Sequence, residues 1–211
     1  MIYEFPKPDD PIRQGDIFRS IPRIDIDLGN LLVAESGDEL FRQDWLQISA
    51  SHDIVTGLVA MRPVTAIVIT QDCDTIRVDD IALCEISEFK VVERSAKDIS
   101  STKSWVSMIT KQARLNLKWF YLPIDDQLGF LQKMAVDFHS VLRTSRLYLE
   151  QNVQYLRIGR LNQIAREHFR ERLSEYYRRY PYDEWYSLNK QEFEEYRKSK
   201  PEPIDPYPGQ V

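Results

Sequence analysis

Arg62-Pro63-Val64-Thr65-Ala66-Ile67-Val68-Ile69-Thr70-Gln71-Asp72-Cys73-Asp74 is the stretch on which the reading of this chain turns. Its β-branched, apolar middle suits a buried strand, and it empties directly into a polar knot of Thr70, Gln71, Asp72, Cys73 and Asp74. Reactive and ligand-binding groups concentrate where a rigid strand passes into a loop. An easy turn after Ile69 would use Gly or Asn, and this chain places five polar or ionisable groups there instead. The knot is therefore expected to be a functional centre. A second strong strand pattern, Ile81 to Ile86, is expected to pair with Ala66–Gln71, with Asp79-Asp80 in the turn region between them.

Working outward, Gly15-Asp16-Ile17-Phe18 opens a first strand that continues or bends around Pro22, after a Pro- and Asp-rich extended arm. Residues 29–44 read as a loop or hairpin tip, while Trp45–Ile48 and Ile54–Val59 read as short strands. Beyond residue 100 the pattern turns helical. Ser100, Ser101 and Thr102 can cap a helix over Lys103–Asn116 whose stripe is Trp105, Met108, Ile109 and Ala113. Trp119–Leu122 is a strand ended by Pro123, and Ala135–Leu142 alternates weakly. Leu161, Ile164, Ala165, Phe169, Leu173, Tyr176, Tyr177 and Tyr180 recur at helical spacing, which predicts a helix from about Arg160 to Tyr180, halted by Pro181. Asn189 with Glu192 suggests a capping box for a short last helix over Phe193 and Tyr196, and the tail from Pro201 is rich in proline.

At 211 residues the chain can bury a full core. No stretch approaches the roughly 20 apolar residues of a membrane span. Met1–Asp10 lacks the basic and apolar segments of a secretory signal, and Cys73 and Cys84 alone are no disulfide framework, so a cytoplasmic protein is expected. The net charge of −5 hides an asymmetry. Residues 1–100 carry 10 basic and 19 acidic side chains, and residues 101–211 carry 18 and 14. Arg166, Arg170, Arg178 and Arg179 make the late helix a candidate nucleic-acid surface, and the same arginines equally suit a solvated helix face. Tyr176, Tyr177, Tyr180, Tyr182, Trp185 and Tyr186 could stack bases, although their spacing also suits core packing.

Short strands followed by helices suggest a small antiparallel barrel with helical additions. The order of Gly15-Asp16-Ile17, Arg62-Pro63 opening an apolar strand, and Ile81–Ile86 as its partner resembles the PemK/MazF family over about residues 13–90. The resemblance implies a mainly β fold with α, an SH3-like antiparallel barrel elaborated with C-terminal helices. The expected organisation is a barrel region with insertions over 1–150 and an Arg-rich helical extension with a Pro-rich tail over 151–211. Most studied members cut single-stranded RNA without a metal. Arg62 matches the family arginine that stabilises the phosphate in the transition state, a task suited to a planar, always-charged guanidinium. Thr70 or Ser87 could stand where the family uses a hydroxyl. Two extra residues after the Arg-Pro pair and the long segment 29–61 depart from the family pattern. The second half is similar to bacterial and phage-borne proteins of unassigned activity that share a Thr-X-X-Cys-Asp-like knot and an Arg-rich helix.

Two function classes follow. One is a non-catalytic binding module of a bacterial defence or toxin–antitoxin system, using the barrel groove to hold a protein, nucleic acid or small ligand. The other is a metal-independent endoribonuclease toxin or effector with Arg62, Thr70 and Ser87 in catalysis. Either way Gln71, Asp72, Cys73 and Asp74 are the expected ligand contacts. Cys73 between two carboxylates is a poor nucleophile, because neighbouring negative charge disfavours the thiolate. Asp72, Asp74, Asp79 and Asp80 could hold Mg²⁺ and are equally explained as turn acids; His52 with the two cysteines lacks zinc-site spacing. No cofactor and no membrane are expected. The partner is expected to be RNA or another protein of the same system, with a homodimer left open.

Overall fold

The computed structural model describes residues 2–34, 40–50, 54–99, 101–110 and 117–178, together with Glu194 and Lys198. The chain divides into two compact units, Met1–Tyr177 and Arg178–Val211. Of the second, only Arg178, Glu194 and Lys198 are described, all helical, so Arg179, the capping box at Asn189 and the proline-rich tail lie outside the described residues.

The first unit is built on an antiparallel sheet. Its strands are β1 (Tyr3–Glu4), β2 (Asp16–Ile24), β6 (Met61–Val68), β7 (Asp80–Glu88), β8 (Trp119–Leu122), β9 (Met134–Ser145) and β10 (Arg157–Leu161). They run in the order β1-β10-β2-β6-β7-β9-β8. The decisive apolar stretch forms β6, and it pairs with β7 as expected: Ala66 faces Glu85, Ile67 faces Cys84 and Val68 faces Leu83. β1 and β8 stand at opposite ends of this order, so the sheet is open and the expected barrel is not closed. The segment that departs from the family pattern forms a separate three-stranded sheet in the order β4-β3-β5, from β3 (Leu31–Ala34), β4 (Leu40–Gln43) and β5 (Thr56–Leu58). It pairs with neither edge of the larger sheet.

Both faces of the large sheet are covered, which explains why β6 reads as a continuous apolar run and not as an alternation. On one face Ile17, Ile67, Cys84, Ile86, Val136 and Phe138 pack with Ala165, Phe169 and Leu173 of helix α6 (Gln163–Arg178). Phe18, Ile21, Val64, Ala66, Val68, Ile81 and Leu83 form a second cluster with Leu149 of helix α4 (Arg146–Gln151). A third cluster holds Phe89, Ala96, Met108, Trp119 and Ala135 under helices α2 (Phe89–Val92) and α3 (Thr102–Thr110). Phe89 meets Trp119 edge-on at 4.7 Å between ring centres.

Several local expectations need correction. Trp45–Ile48 is helix α1 (Trp45–Ser49), not a strand: the Asp44 carboxylate accepts from the Leu46 N–H at 2.7 Å, and the Gln47 side chain closes a capping box on the Asp44 N–H. Arg160 and Leu161 belong to β10, and the helix starts only after Asn162, whose Oδ1 accepts from the Ala165 N–H at 2.9 Å. The helix expected over 103–116 is described as far as Thr110. The opening arm contains β1, paired with β10. β2 does bend before Pro22, through a register shift between Phe18 and Ile21, with Ser20 at φ +58°. β10 lies between β1 and β2 inside the first unit.

Candidate functional site

Each polar group of the knot has a position set by its neighbours. Thr70 ends the β6–β7 ladder with its side chain: its hydroxyl accepts from the Ala82 N–H at 2.8 Å and donates to the Ala82 carbonyl at 3.4 Å. Gln71 to Val78 then wind through turns in which the Gln71 carbonyl accepts from the N–H groups of Asp74 and Thr75, and the Asp74 carbonyl from those of Arg77 and Val78. Thr75 is buried and its hydroxyl bonds the Ile12 carbonyl. Asp72 is the anchor. One carboxylate oxygen accepts from the Gln14 N–H at 2.8 Å and the other from Arg170 Nη2 of α6. Arg170 Nε also donates to Gln14 Oε1 at 2.8 Å, and Gln14 Nε2 donates to the Ile69 carbonyl at 2.7 Å. The knot therefore ties three distant segments together.

Its remaining members are less engaged. Cys73 is exposed, with Sγ 4.0 Å from Gln71 Oε1, whereas Cys84 is buried in β7 and its thiol is pushed up to about 12, first by burial and then by Asp137. The acids of the knot and the following turn take different partners: Asp80 pairs with Arg143 at 3.2 Å, and Asp72 with Arg170. Among the described residues no group of three His, Cys, Asp or Glu side chains could hold a metal ion.

A second polar group lies near the opposite end of β6. The β2–β6 register sets Arg23 across from Arg62. Two guanidinium groups side by side need a counter-charge, and Glu85 of β7 supplies it. Arg62 Nη1 and Nη2 donate to its two carboxylate oxygens at 3.0 and 3.2 Å, and Arg23 Nη1 donates to Oε2. Asp25 binds the outer side, accepting from Arg23 Nε at 2.8 Å and Arg62 Nε at 3.4 Å. Ser87 Oγ donates to Glu85 Oε1 at 3.3 Å. The bonds to Asp25 and Glu85 hold the Arg23 guanidinium more firmly protonated than usual; those to Glu85 do the same for Arg62. Of the three residues expected in catalysis, Arg62 and Ser87 thus meet through Glu85, and Thr70 stands apart in the ladder to Ala82. Chemically the group offers a nearly buried carboxylate able to accept a proton and two guanidiniums able to stabilise a phosphorane, but all three donor-bearing nitrogens of Arg62 already face carboxylate oxygens.

The α6 arginines serve different ends. Arg170 belongs to the Asp72 anchor. The stem of Arg166 lies over Gly15, where an added Cβ would stand 3.5 Å from Arg166 Cγ, and its buried Nε has no hydrogen-bond acceptor among the described residues. Gly15 is itself at φ +90°, a conformation that favours glycine. Arg178 is exposed at the end of α6. Tyr176 packs against Phe138 and His139, at 5.4 and 5.5 Å between ring centres, whereas Tyr177 is exposed.

Sequence reasoning missed a buried ion cluster. Asp16 is fully buried and accepts from Arg160 Nε and Nη2, from Arg157 Nη1 at 3.2 Å and from the Arg13 N–H at 3.2 Å. Burial works against the charge on Arg160, and Asp16 outweighs it, so the guanidinium is pushed up. The two arginines also bind carbonyls of the opening arm, at Lys7, Asp10 and Pro11. The available signal was an acid at the start of an apolar strand, next to a glycine.

A different kind of surface covers residues 24–61. Among the described residues, twelve of the twenty-four exposed large apolar side chains fall between Ile24 and Met61, including Leu40, Phe41, Trp45, Leu46 and Leu58. Exposed apolar side chains are concentrated in this segment, and exposed apolar patches mark interaction sites. Among the described residues no helix is long and apolar enough to cross a membrane. No family model, no curated protein and no solved structure matches the chain.

Proposed function

We propose that this protein is a non-catalytic binding module. The observation that carries the reading is the exposed apolar surface concentrated on residues 24–61. The state of Arg62 supports it. Three of its five N–H groups are spent on Asp25 and Glu85, which leaves fewer for a phosphoryl oxygen. The knot supports it too, since Thr70 and Asp72 hold the backbone together. The proposed setting, a bacterial toxin–antitoxin or defence system with another protein of that system or RNA as partner, follows from the PemK/MazF resemblance. An opened-out version of an SH3-like barrel is the corresponding reading of the fold.

One arrangement favours the second reading, a metal-independent endoribonuclease. Glu85 could take the proton of an attacking 2′-hydroxyl, and Arg62 with Arg23 could stabilise the charge that develops on phosphorus. The discriminating experiment incubates the protein with a mixed RNA pool. The binding-module reading expects no cleavage above the buffer control at any dose. Cleavage that disappears in both Arg62→Ala and Glu85→Gln, with melting temperature retained, would replace it with the nuclease.

A further inference from the structure

We infer that Arg166 anchors a small-oxyanion site, taking a phosphate or carboxylate group on the edge of its guanidinium. Arg166 and Arg170 stand one turn apart on α6, and both lie on the Gln14-Gly15 segment. Arg170 Nε donates to Gln14 Oε1, whereas the stem of Arg166 lies over Gly15. Their charges are met differently. Arg170 pairs with Asp72 and Glu167. Arg166 is half-buried, its Nε is buried with no acceptor, and no carboxylate pairs with its guanidinium among the described residues.

The acids that flank this segment are already spent. Asp16, next to Gly15, holds Arg157 and Arg160, and Asp72 accepts from the Gln14 N–H and from Arg170. A cation drawn partly out of water with a buried donor unspent carries a cost that an arriving anion removes. The donor set selects the ligand. Nε–H and the neighbouring Nη N–H point the same way and match two oxygens of one phosphate or carboxylate group. Glu167, bound to Arg170 and 58% exposed, disfavours an extended polyanion beside them. Gly15 fixes where the fork stands: its φ of +90° favours glycine, and a Cβ there would stand 3.5 and 3.6 Å from Cγ and Cδ of Arg166. The site is built from other segments than the apolar surface of residues 24–61, so it adds a ligand to the binding-module reading without depending on it.

The test uses the isotope-labelled full chain with inorganic phosphate, acetate and, at matched ionic strength, chloride. The arginine Nε–H signals are followed by NMR, and that of Arg166 is the one missing from Arg166→Lys. It is expected to move saturably with phosphate or acetate and not with chloride. Arg166→Lys keeps the charge and much of the stem but lacks the fork, so it should keep its melting temperature and bind phosphate at least about tenfold more weakly by calorimetry. Should that variant melt early, Arg166→Gln supplies the same assignment and comparison. A signal that moves equally in chloride overturns the inference, and so does one that neither oxyanion moves, since water would then satisfy Nε. Unchanged phosphate affinity in Arg166→Lys overturns it too, because any cation would then serve. A short single-stranded RNA that moves the same signal and binds at least about tenfold more tightly than phosphate would assign the site to nucleic acid and overturn the small-ligand reading.

Discussion

Replacing Asp16 with Asn should be among the most damaging conservative changes in this protein. The carboxylate is fully buried, and the Arg157 and Arg160 side chains around it are only 3% and 6% exposed. The amide keeps the shape and removes the charge, so two guanidiniums remain indoors with carbonyl dipoles as their main partners. Breaking a buried pair from one side costs about 3–5 kcal/mol, because the cost is that of the charge left behind. For a unit of this size, each kcal/mol lowers the melting temperature by about 2–4 °C, so Asp16→Asn should melt about 6–20 °C lower. The damage should extend to the opening arm, since Arg157 and Arg160 hold it through the carbonyls of Lys7, Asp10 and Pro11. Thermal unfolding followed by circular dichroism gives the first number, and hydrogen exchange over residues 7–13 gives the second. The double variant Asp16→Asn with Arg160→Met should lose less than the two single losses added together, because the second change removes one of the stranded charges. A melting temperature within about 2 °C of the parent in Asp16→Asn would refute the reasoning, since no buried charge would then depend on the carboxylate.

Two further predictions concern the knot and acid stability. Asp72→Asn should cost only about 1–2 kcal/mol, because the Asp72–Arg170 pair is partly exposed, and Cys73→Ala should stay within about 0.5 kcal/mol; both are measured by urea unfolding. A loss above about 4 kcal/mol for Asp72→Asn would mean that the anchor is tighter than its exposure implies. Burial works to raise the Glu93 carboxyl, but the Ser95 hydroxyl and N–H, the Trp119 indole N–H and Lys118 outweigh it and hold the group below its usual 4.5. A group depressed in the folded state binds its proton first in the unfolded chain, so its contribution is present above about 4.5 and is lost as pH falls through the lower folded value. Glu93→Gln should therefore be less stable than the parent at neutral pH, and the gap should narrow on acidification below that point. A gap independent of pH would show that the charge on Glu93 is not what matters.

Much of the local structure could be read from spacing alone. Trp119–Leu122, the apolar run from Val64 to Val68, Ile81–Ile86 and the Ala165–Phe169–Leu173 stripe all announce their elements, because periodicity is a property of neighbouring residues. Even α1 had a legible signal, the Asp44 and Gln47 capping box, which the apolar Trp45-Leu46 pair obscured.

The chain's own order of residues thus determined where strands and helices form and that a covered sheet would result. Only the tertiary structure decided what the polar residues do. Asp16 meets Arg160 across 144 positions of sequence, Asp72 meets Arg170 across 98, and Glu85 meets Arg62 across 23. An isolated acid or arginine in the sequence reads equally well as a site, a solvated turn or half of an ion pair, since the cost of burying its charge depends on whether an opposite charge arrives. The same holds for β10, where Arg157 and Arg160 sit inside a strand because Asp16 and the carbonyls of the opening arm accept their hydrogen bonds. Apolar burial leaves its mark in the local pattern, whereas charge pairing is specified only when the fold brings the partners together.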